Sequence, residues 1–303
     1  MTFEEFKINI MHYIQDNEPE VDNITSVTTL KNNGIFLDGV TIKAGTSNVA
    51  PTIYLNGYFK QLENTGDFNS IANIILMEYR KSKKNIMLDV SFFLDFERIK
   101  DRVVYKLINR KRNETLLKDI PYVEYMDLAI VFYYLMPNKG DEDIDGSILI
   151  KNEHMQRWNI TTKDLMEKAS FNTTRLLGLK VKGIMSTLAE YSNDDDFQSI
   201  AKETEGYVPL YVASNRKGYL GASVILYEDM LKSLAEVMNS DFFVIPCSIH
   251  EVIIMKIKKG CQTDIDSLKE MISYVNNTEL SEGDILSDSL YYYSLKENVL
   301  SIV

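Results

Sequence analysis

Hydrophobic residues recur at helical spacing in two segments of the first hundred residues. In the first segment, one face collects Phe3, Phe6, Ile10, Tyr13 and Ile14. Thr2 and Glu5 stand at the spacing of a capping box, so the pattern predicts a helix that begins after Thr2. The second segment begins after Asp67, and its apolar face consists of Phe68, Ile71, Ile75 and Tyr79. The same periodicity predicts a second helix there.

A β-hairpin is predicted between these two helices. The β-prone residues 27–31 and 35–37 flank Asn33 and Gly34, the pair preferred in a type I′ turn. Asp38 and Gly39 follow at once and form a second turn-prone pair. One of the two pairs therefore forms the turn, and the other forms a bulge or kink.

The rest of the chain alternates β-rich apolar runs with amphipathic helices. Strands are predicted at residues 103–109, 128–136, 146–150, 210–213, 222–226, 242–246, 252–257 and 291–294. Helices are predicted from Thr161, Ile184, Asp229 and Asp264. The last of these helices turns Met271 and its apolar neighbours toward the core. The acidic triplet at residues 194–196 predicts an exposed loop.

Short connections between successive strands favour antiparallel pairing. The predicted fold class is therefore α+β, with mixed, mainly antiparallel sheets and packed helices. From about residue 102 the predicted strands become longer and alternate with helices. This change divides the chain into a smaller N-terminal lobe, residues 1–100, and a larger C-terminal domain, residues 101–303. Residues 99–112 could belong to either part.

Composition and charge narrow the class of partner. Apolar residues make up 45% and charged residues 25% of the 303 residues, which is ample material for a core. Lys and Arg number 33 against 44 Asp and Glu, a net charge of −11. Nucleic acid is disfavoured, because its binding draws on a basic surface. The basic clusters at residues 80–84 and 110–112 suit a helix end and a turn, so the expected partner is a protein or a small molecule.

The sequence carries no signal of export or membrane insertion. Its longest apolar run, residues 128–136, is shorter than the ~20 residues of a spanning helix. The first residues show neither the basic nor the apolar region of a signal peptide. The two cysteines, Cys247 and Cys261, match no disulfide or zinc framework. These features predict a cytoplasmic protein without membrane contact, structural metal or cofactor.

One acidic stretch matches half of a calcium-binding loop. Asp141, Asp143, Asp145 and Gly146 occupy positions that supply oxygen ligands and the sharp turn of an EF-hand. The twelfth position holds Asn152 instead of a bidentate Glu, and the flanks predict strands instead of helices. A solvated acidic hairpin is favoured, and cation binding by this loop is left open.

The candidate binding residues are Ser248, His250 and Glu251, which interrupt two apolar strands. A kink between the strands would bring the three side chains to one rim of the sheet. Position 254 holds Ile where a zinc protease needs a second His, and Cys247 suits a small core residue better than a nucleophile.

The remaining histidines have ordinary structural interpretations. His12 lies beside the apolar face of the first predicted helix, which fits a packed or surface position. His154 precedes Trp158, and a contact between the two rings accounts for it.

Four stretches of the chain carry a resemblance to known sequences. They are SNVAPTIYLNGYFKQL from Ser47, NEHMQRWNITTKDLMEKASFNTTRLL from Asn152, GASVILYEDMLKSLAEVMNSDFFVIPCSIHEVIIM from Gly221 and LSEGDILSDSLYYYS from Leu280. These stretches resemble an uncharacterised bacterial family, a domain of unknown function of gut Firmicutes. The last two are also similar to a second uncharacterised Firmicutes family. The resemblance implies a bacterial cytoplasmic origin and one architecture over the full chain, and it implies no catalytic residue.

Two functional hypotheses follow from these observations. The first is a non-catalytic binding or interaction module, because no catalytic constellation is found in the sequence. The alternative is a hydrolase-type enzyme with a site near His250 and Glu251, so enzymatic activity is left open. A purely structural His250 is expected to hydrogen-bond a backbone carbonyl or Glu251.

Overall fold

Helices and antiparallel sheets fill both parts of the chain in the computed structural model, which describes residues 1–45, 50–82, 90–137, 146–192, 194–258, 260 and 263–303. The chain divides into two units, Met1–Ser91 and Phe92–Val303. Every strand pair among the described residues is antiparallel, which confirms the predicted α+β class. The assignment of residues 1–100 and 101–303 to separate domains stays a prediction. None of the described helices is long and apolar enough to cross a bilayer.

The first unit packs its helices on one sheet. Its elements are α1 (Phe3–Asn17), β1 (Val21–Leu30), β2 (Phe36–Ala44), β3 (Thr52–Tyr54), α2 (Asn56–Thr65) and α3 (Phe68–Ser82). The sheet has the order β1-β2-β3. The two predicted helices are confirmed as α1 and α3. The capping box of α1 is also formed, since the Thr2 N–H donates to the Glu5 carboxylate at 2.8 Å and the Glu5 N–H donates to the Thr2 hydroxyl at 3.2 Å.

The hairpin between β1 and β2 turns at the first of the two predicted pairs. Asn33 and Gly34 both have positive φ, 59° and 75°, as a type I′ turn requires. Gly39, from the second pair, lies inside β2, where a Cβ would come within 2.5 Å of the Ile53 carbonyl oxygen. Gly39 is therefore needed for the close approach of β3. The bulge or kink expected at Asp38 and Gly39 is not formed, because both residues pair with β1 in regular register.

The second unit holds the longer series of elements. Its strands are β4 (Val103–Asn109), β5 (Tyr122–Tyr125), β6 (Leu128–Leu135), β7 (Ser147–Leu149), β8 (Lys180–Gly183), β9 (Leu210–Ser214), β10 (Phe242–Ile245), β11 (Val252–Lys256), β12 (Tyr291–Ser294) and β13 (Val299–Ile302). Its helices are α4 (Phe96–Ile99), α5 (Asn152–Trp158), α6 (Thr162–Leu177), α7 (Ile184–Glu190), α8 (Asp195–Thr204), α9 (Met230–Met238) and α10 (Ile265–Thr278).

The strands of this unit form a smaller and a larger sheet. The smaller sheet has the order β4-β6-β5, with β7 also paired to β6. Every residue of β6 is buried, as expected of a central strand. The larger sheet has the order β13-β12-β10-β11-β9-β8. It brings β10 and β11, the strands that flank the candidate site, into its interior.

Helix α6 closes the outer edge of β4 with polar side chains. Asn172 donates to the carbonyl oxygens of Lys100 at 2.7 Å and Val103 at 2.9 Å. The Thr173 hydroxyl accepts the Tyr105 N–H at 3.1 Å. Both side chains are buried. They satisfy main-chain groups that an edge strand would otherwise leave without partners.

Three further predicted details are wrong. Residues 222–226 belong to a 3₁₀ helix, Gly221–Leu226, instead of a strand, because a buried apolar run does not distinguish the two conformations. The acidic triplet 194–196 starts α8 instead of a loop, since the Asp194 carboxylate accepts two main-chain N–H groups of the first helical turn. Met271 is 49% exposed, because α10 buries Ile272 and Asn276 instead.

Candidate functional site

The segment between β10 and β11 carries the three predicted binding residues. The two strands pair as predicted, with Ile245 opposite Ile253, and Pro246 follows the end of β10. Residues 247–251 leave this ladder and contact a distant segment. The Ile249 N–H donates to the carbonyl oxygen of Asp284 at 2.9 Å. The turn between the strands is therefore fixed from outside the hairpin.

Hydrogen bonds at both ring nitrogens hold the His250 side chain. Nδ1 accepts the Leu220 N–H at 3.2 Å, and Nε2 lies 3.3 Å from Oδ1 of Asp284. Because a main-chain N–H can only donate, the lone pair of Nδ1 faces Leu220. The proton of the neutral ring is then on Nε2 and donates to the carboxylate. These partners differ from the backbone carbonyl and Glu251 that were expected of a structural His250.

His250 supports a short loop, residues 215–220. Asn215 bridges the loop internally, because its side chain donates to the Tyr219 carbonyl at 2.9 Å and accepts the Lys217 N–H at 3.0 Å. Leu220 ends the loop with a φ of 54°. This left-handed conformation costs a bulky residue about 1–2 kcal/mol. The bond to His250 is made by the N–H of this strained residue.

The loop displays two cations and one aromatic ring. Arg216, Lys217 and Tyr219 are exposed, Tyr219 by 58%. The centre of the Tyr219 ring lies 5.1 Å from that of His250, with 37° between the planes. The loop is thus an internally hydrogen-bonded, positively charged projection on a chain whose net charge is −11.

Ser248 contacts the main chain of His250, whereas the Glu251 side chain is not brought to the His250 ring. The Ser248 hydroxyl accepts the His250 N–H at 3.0 Å and is buried. Within the part of the chain that the structure describes, no hydrogen bond links Glu251 to Ser248 or His250. Burial, and then the Asp288 and Glu251 carboxylates, raise the pKa of the Cys247 thiol to about 11. Such a thiol is protonated at neutral pH and is a poor nucleophile.

Nucleophilic catalysis of the triad type does not fit this geometry. The histidine of a triad directs one ring nitrogen to the acid and the other to the nucleophile. Asp284 supplies the acid at Nε2, but Nδ1 faces the peptide N–H of Leu220. The Ser248 hydroxyl faces the His250 main chain instead of its ring. The arrangement can hold a loop in place, and it offers no free base.

The other histidines occupy packing or surface positions. The His154 ring on α5 lies 5.0 Å from that of Phe93 and 5.5 Å from that of Trp158, and burial lowers its pKa. His12 is exposed on α1. Among the described residues, no group of three His, Cys, Asp or Glu side chains is placed to hold a metal ion. The acidic loop 141–145 and Cys261 lie outside the described residues.

Arginines of the two basic clusters form ion pairs with carboxylates. The pairs are Arg80 with Glu18 at 2.6 Å, Arg110 with Glu124 at 2.7 Å and Arg112 with Asp288 at 3.3 Å. Residues 83 and 84 of the first cluster lie outside the described residues. These three arginines therefore bind carboxylates of the same chain.

The sequence singled out Ser248, His250 and Glu251 as candidate binding residues, which stays a prediction, and it indicated none of the residues that the His250 ring contacts. Asn215 and Gly218 signal a turn in the sequence. Nothing in their spacing relates that turn to His250, which lies 30 residues beyond Leu220, or to Asp284, which lies 34 residues beyond His250. These contacts exist only in the folded chain.

Comparison with known proteins gives a family and no activity. The model of a family of unknown function (DUF5688) matches residues 3–295. No curated protein and no solved structure matches the chain.

Proposed function

The chain belongs to the family of unknown function DUF5688, and we propose that it is a non-catalytic binding module whose recognition element is the loop 215–220. One observation carries the proposal. Both ring nitrogens of His250 are engaged in holding this loop and its surroundings, one at Leu220 and the other at Asp284. His250 is then a positioning residue for the loop.

The side chains of the loop indicate the chemistry of the partner. The exposed Arg216 can donate to carboxylates, and the exposed Tyr219 ring offers a flat apolar surface. Tyr and Arg are also among the residue types enriched at the energetic centres of protein interfaces. We therefore propose a protein partner that presents an acidic side chain beside an apolar one.

The proposal includes a location in the bacterial cytoplasm and an origin in gut Firmicutes. The origin is implied by the resemblance of the four sequence stretches. The location is supported by the low cysteine content, two residues in 303, because proteins of oxidising compartments often depend on disulfides.

Affinity capture from a lysate of the source bacterium tests the recognition loop. The baits are the wild-type chain, Tyr219→Ser and Tyr274→Ser, where Tyr274 on α10 is a matched control with 65% exposure. We expect a partner that the wild type and the control retain and Tyr219→Ser loses. With the purified partner, Tyr219→Ser should raise Kd at least about tenfold, or 1.4 kcal/mol. Equal capture by all three baits overturns the proposal.

The alternative of a hydrolase near His250 and Glu251 makes a different prediction. A hydrolase of this kind would cleave an activated p-nitrophenyl ester and lose that activity in both His250→Asn and Glu251→Gln. We expect the wild type and both variants to show the same background rate. Turnover by the wild type that both substitutions abolish would replace the binding proposal with an enzymatic one.

A further inference from the structure

A groove of about 400 Å³ lies in the first unit between α1 and β1. On the helix side it is lined by Ile8, Met11, His12 and Gln15, and on the strand side by residues 22–24. Ile8 is 50% exposed although it is a large apolar residue. The groove thus combines a strand with a helix surface on which Ile8 and Met11 are apolar and His12 and Gln15 are polar.

The strand that borders the groove is the outer strand of its sheet. In the order β1-β2-β3, β1 pairs only with β2 among the described residues. Every second residue of such a strand directs its N–H and C=O away from the paired neighbour. The Gln15 side chain takes one of these groups, the Val21 carbonyl, at 3.0 Å. Further along, Thr25, Ser26 and Thr28 are exposed, and among the described residues no strand pairs with β1 on its outer side.

The edge of β1 carries little of the protection that natural edge strands use. Edge strands are commonly blocked by Lys, by Pro or by bulges that twist the edge away. β1 contains neither Lys nor Pro, and its irregularity is confined to the end between Val21 and Asn23. Its Thr, Ser and Val residues favour extended pairing. The strand is therefore competent to accept a further strand.

We propose that the groove between α1 and β1 binds an extended peptide segment of a partner protein, which adds a strand to β1 and places a basic side chain at Asp22. The open main chain of β1 selects an extended backbone. Ile8, Met11 and Ile24 receive an apolar side chain of the segment. Asp22 is exposed at the groove, and the net charge of −11 favours a cationic segment. This inference is independent of the loop 215–220.

Selection of random peptides against the full chain tests the groove. The probe is a phage-displayed library of ten-residue peptides, the length of β1. Enriched peptides should share a Lys or Arg and apolar residues at alternate positions. Synthetic copies should bind Asp22→Lys at least about tenfold more weakly than the wild type. Glu63→Lys, the same charge change at an exposed position of α2, should leave Kd within about twofold.

A second variant and a structural readout guard against indirect effects. Ile8→Ser removes the exposed apolar contact without a charge change and should also weaken binding, while circular dichroism confirms that both variants are folded. Amide chemical shifts of the wild type should change on peptide addition at residues 8–15 and 21–30.

Three outcomes overturn the proposal. One is a library that yields no enriched peptide. Another is a set of peptides whose affinity survives both Asp22→Lys and Ile8→Ser. The third is self-association of the chain that Ser26→Lys abolishes, because the edge of β1 would then belong to a second copy.

Discussion

Replacing His250 by Ala should destabilise the chain by about 1.5–5 kcal/mol. The largest part is the Leu220 N–H, which loses its acceptor at a buried residue and costs about 1–3 kcal/mol. The lost ring contact with Tyr219 adds about 0.5–1 kcal/mol, at the lower end of aromatic pairs because Tyr219 is exposed. The lost contact between Nε2 and the half-exposed Asp284 carboxylate adds about 0–1 kcal/mol to the destabilisation.

The variant His250→Asn distinguishes the contribution of the hydrogen bond from Leu220 from that of the other imidazole contacts. The Asn Oδ1 is bonded to Cγ as the His Nδ1 is, so it can accept the Leu220 N–H. The variant loses only the contacts with Tyr219 and Asp284, and we expect a destabilisation of about 0.5–2 kcal/mol. Urea denaturation at constant m value measures both losses. Hydrogen exchange should show the Leu220 amide protected in the wild type and in His250→Asn, and unprotected in His250→Ala.

Two results would refute this reasoning. If His250→Asn loses as much stability as His250→Ala, the acceptor at Leu220 is not the main contribution. If the Leu220 amide stays protected in His250→Ala, the ring does not hold the end of the loop, and His250 cannot be its positioning residue.

Three further predictions follow from single contacts. A Cβ on Gly183 would lie 1.2 Å from Oε1 of Glu205, and Oε2 of the same carboxylate accepts the N–H of Ser186 in the first turn of α7 at 2.6 Å. Gly183→Ala should therefore displace this cap, destabilise the chain by about 1–2 kcal/mol and increase hydrogen exchange in α7. Unchanged exchange in α7 would contradict the role of Glu205 as a cap. With Cys261 replaced by Ser, alkylation of Cys247 should be slow at neutral pH and rise about tenfold per pH unit toward the pKa of about 11, without a plateau near pH 9. Burial lowers the pKa of His154, so the unfolded chain binds a proton at this residue more readily than the folded chain does. The free energy of unfolding should therefore be highest above about pH 6.5 and should decrease as the pH falls below that value. His154→Gln should make this decrease less steep, and an unchanged slope would assign the decrease to other groups.

Local patterns were reliable where burial and periodicity coincide. α1 and α3 follow from their apolar faces, and the hairpin of β10 and β11 follows from two apolar runs separated by a polar turn. The same reasoning failed at residues 222–226, because a segment enclosed by the core shows no periodicity that separates a strand from a 3₁₀ helix. It also failed at residues 194–196, where the acidic side chain of Asp194 caps a helix and the triplet remains exposed.

The sequence by itself determined the α+β class, the antiparallel pairing and the position of His250 between two strands, because short connections and alternating apolar runs constrain neighbouring segments. Only the tertiary structure decided what His250 does. The packing of the larger sheet brings Leu220 and Asp284 to the two ring nitrogens, from 30 residues before and 34 residues after the histidine. Contacts across such separations depend on how distant segments pack, and no local pattern records them. The open edge of β1 was decided in the same way, since strand order depends on which strands pair and not on the sequence of β1 alone.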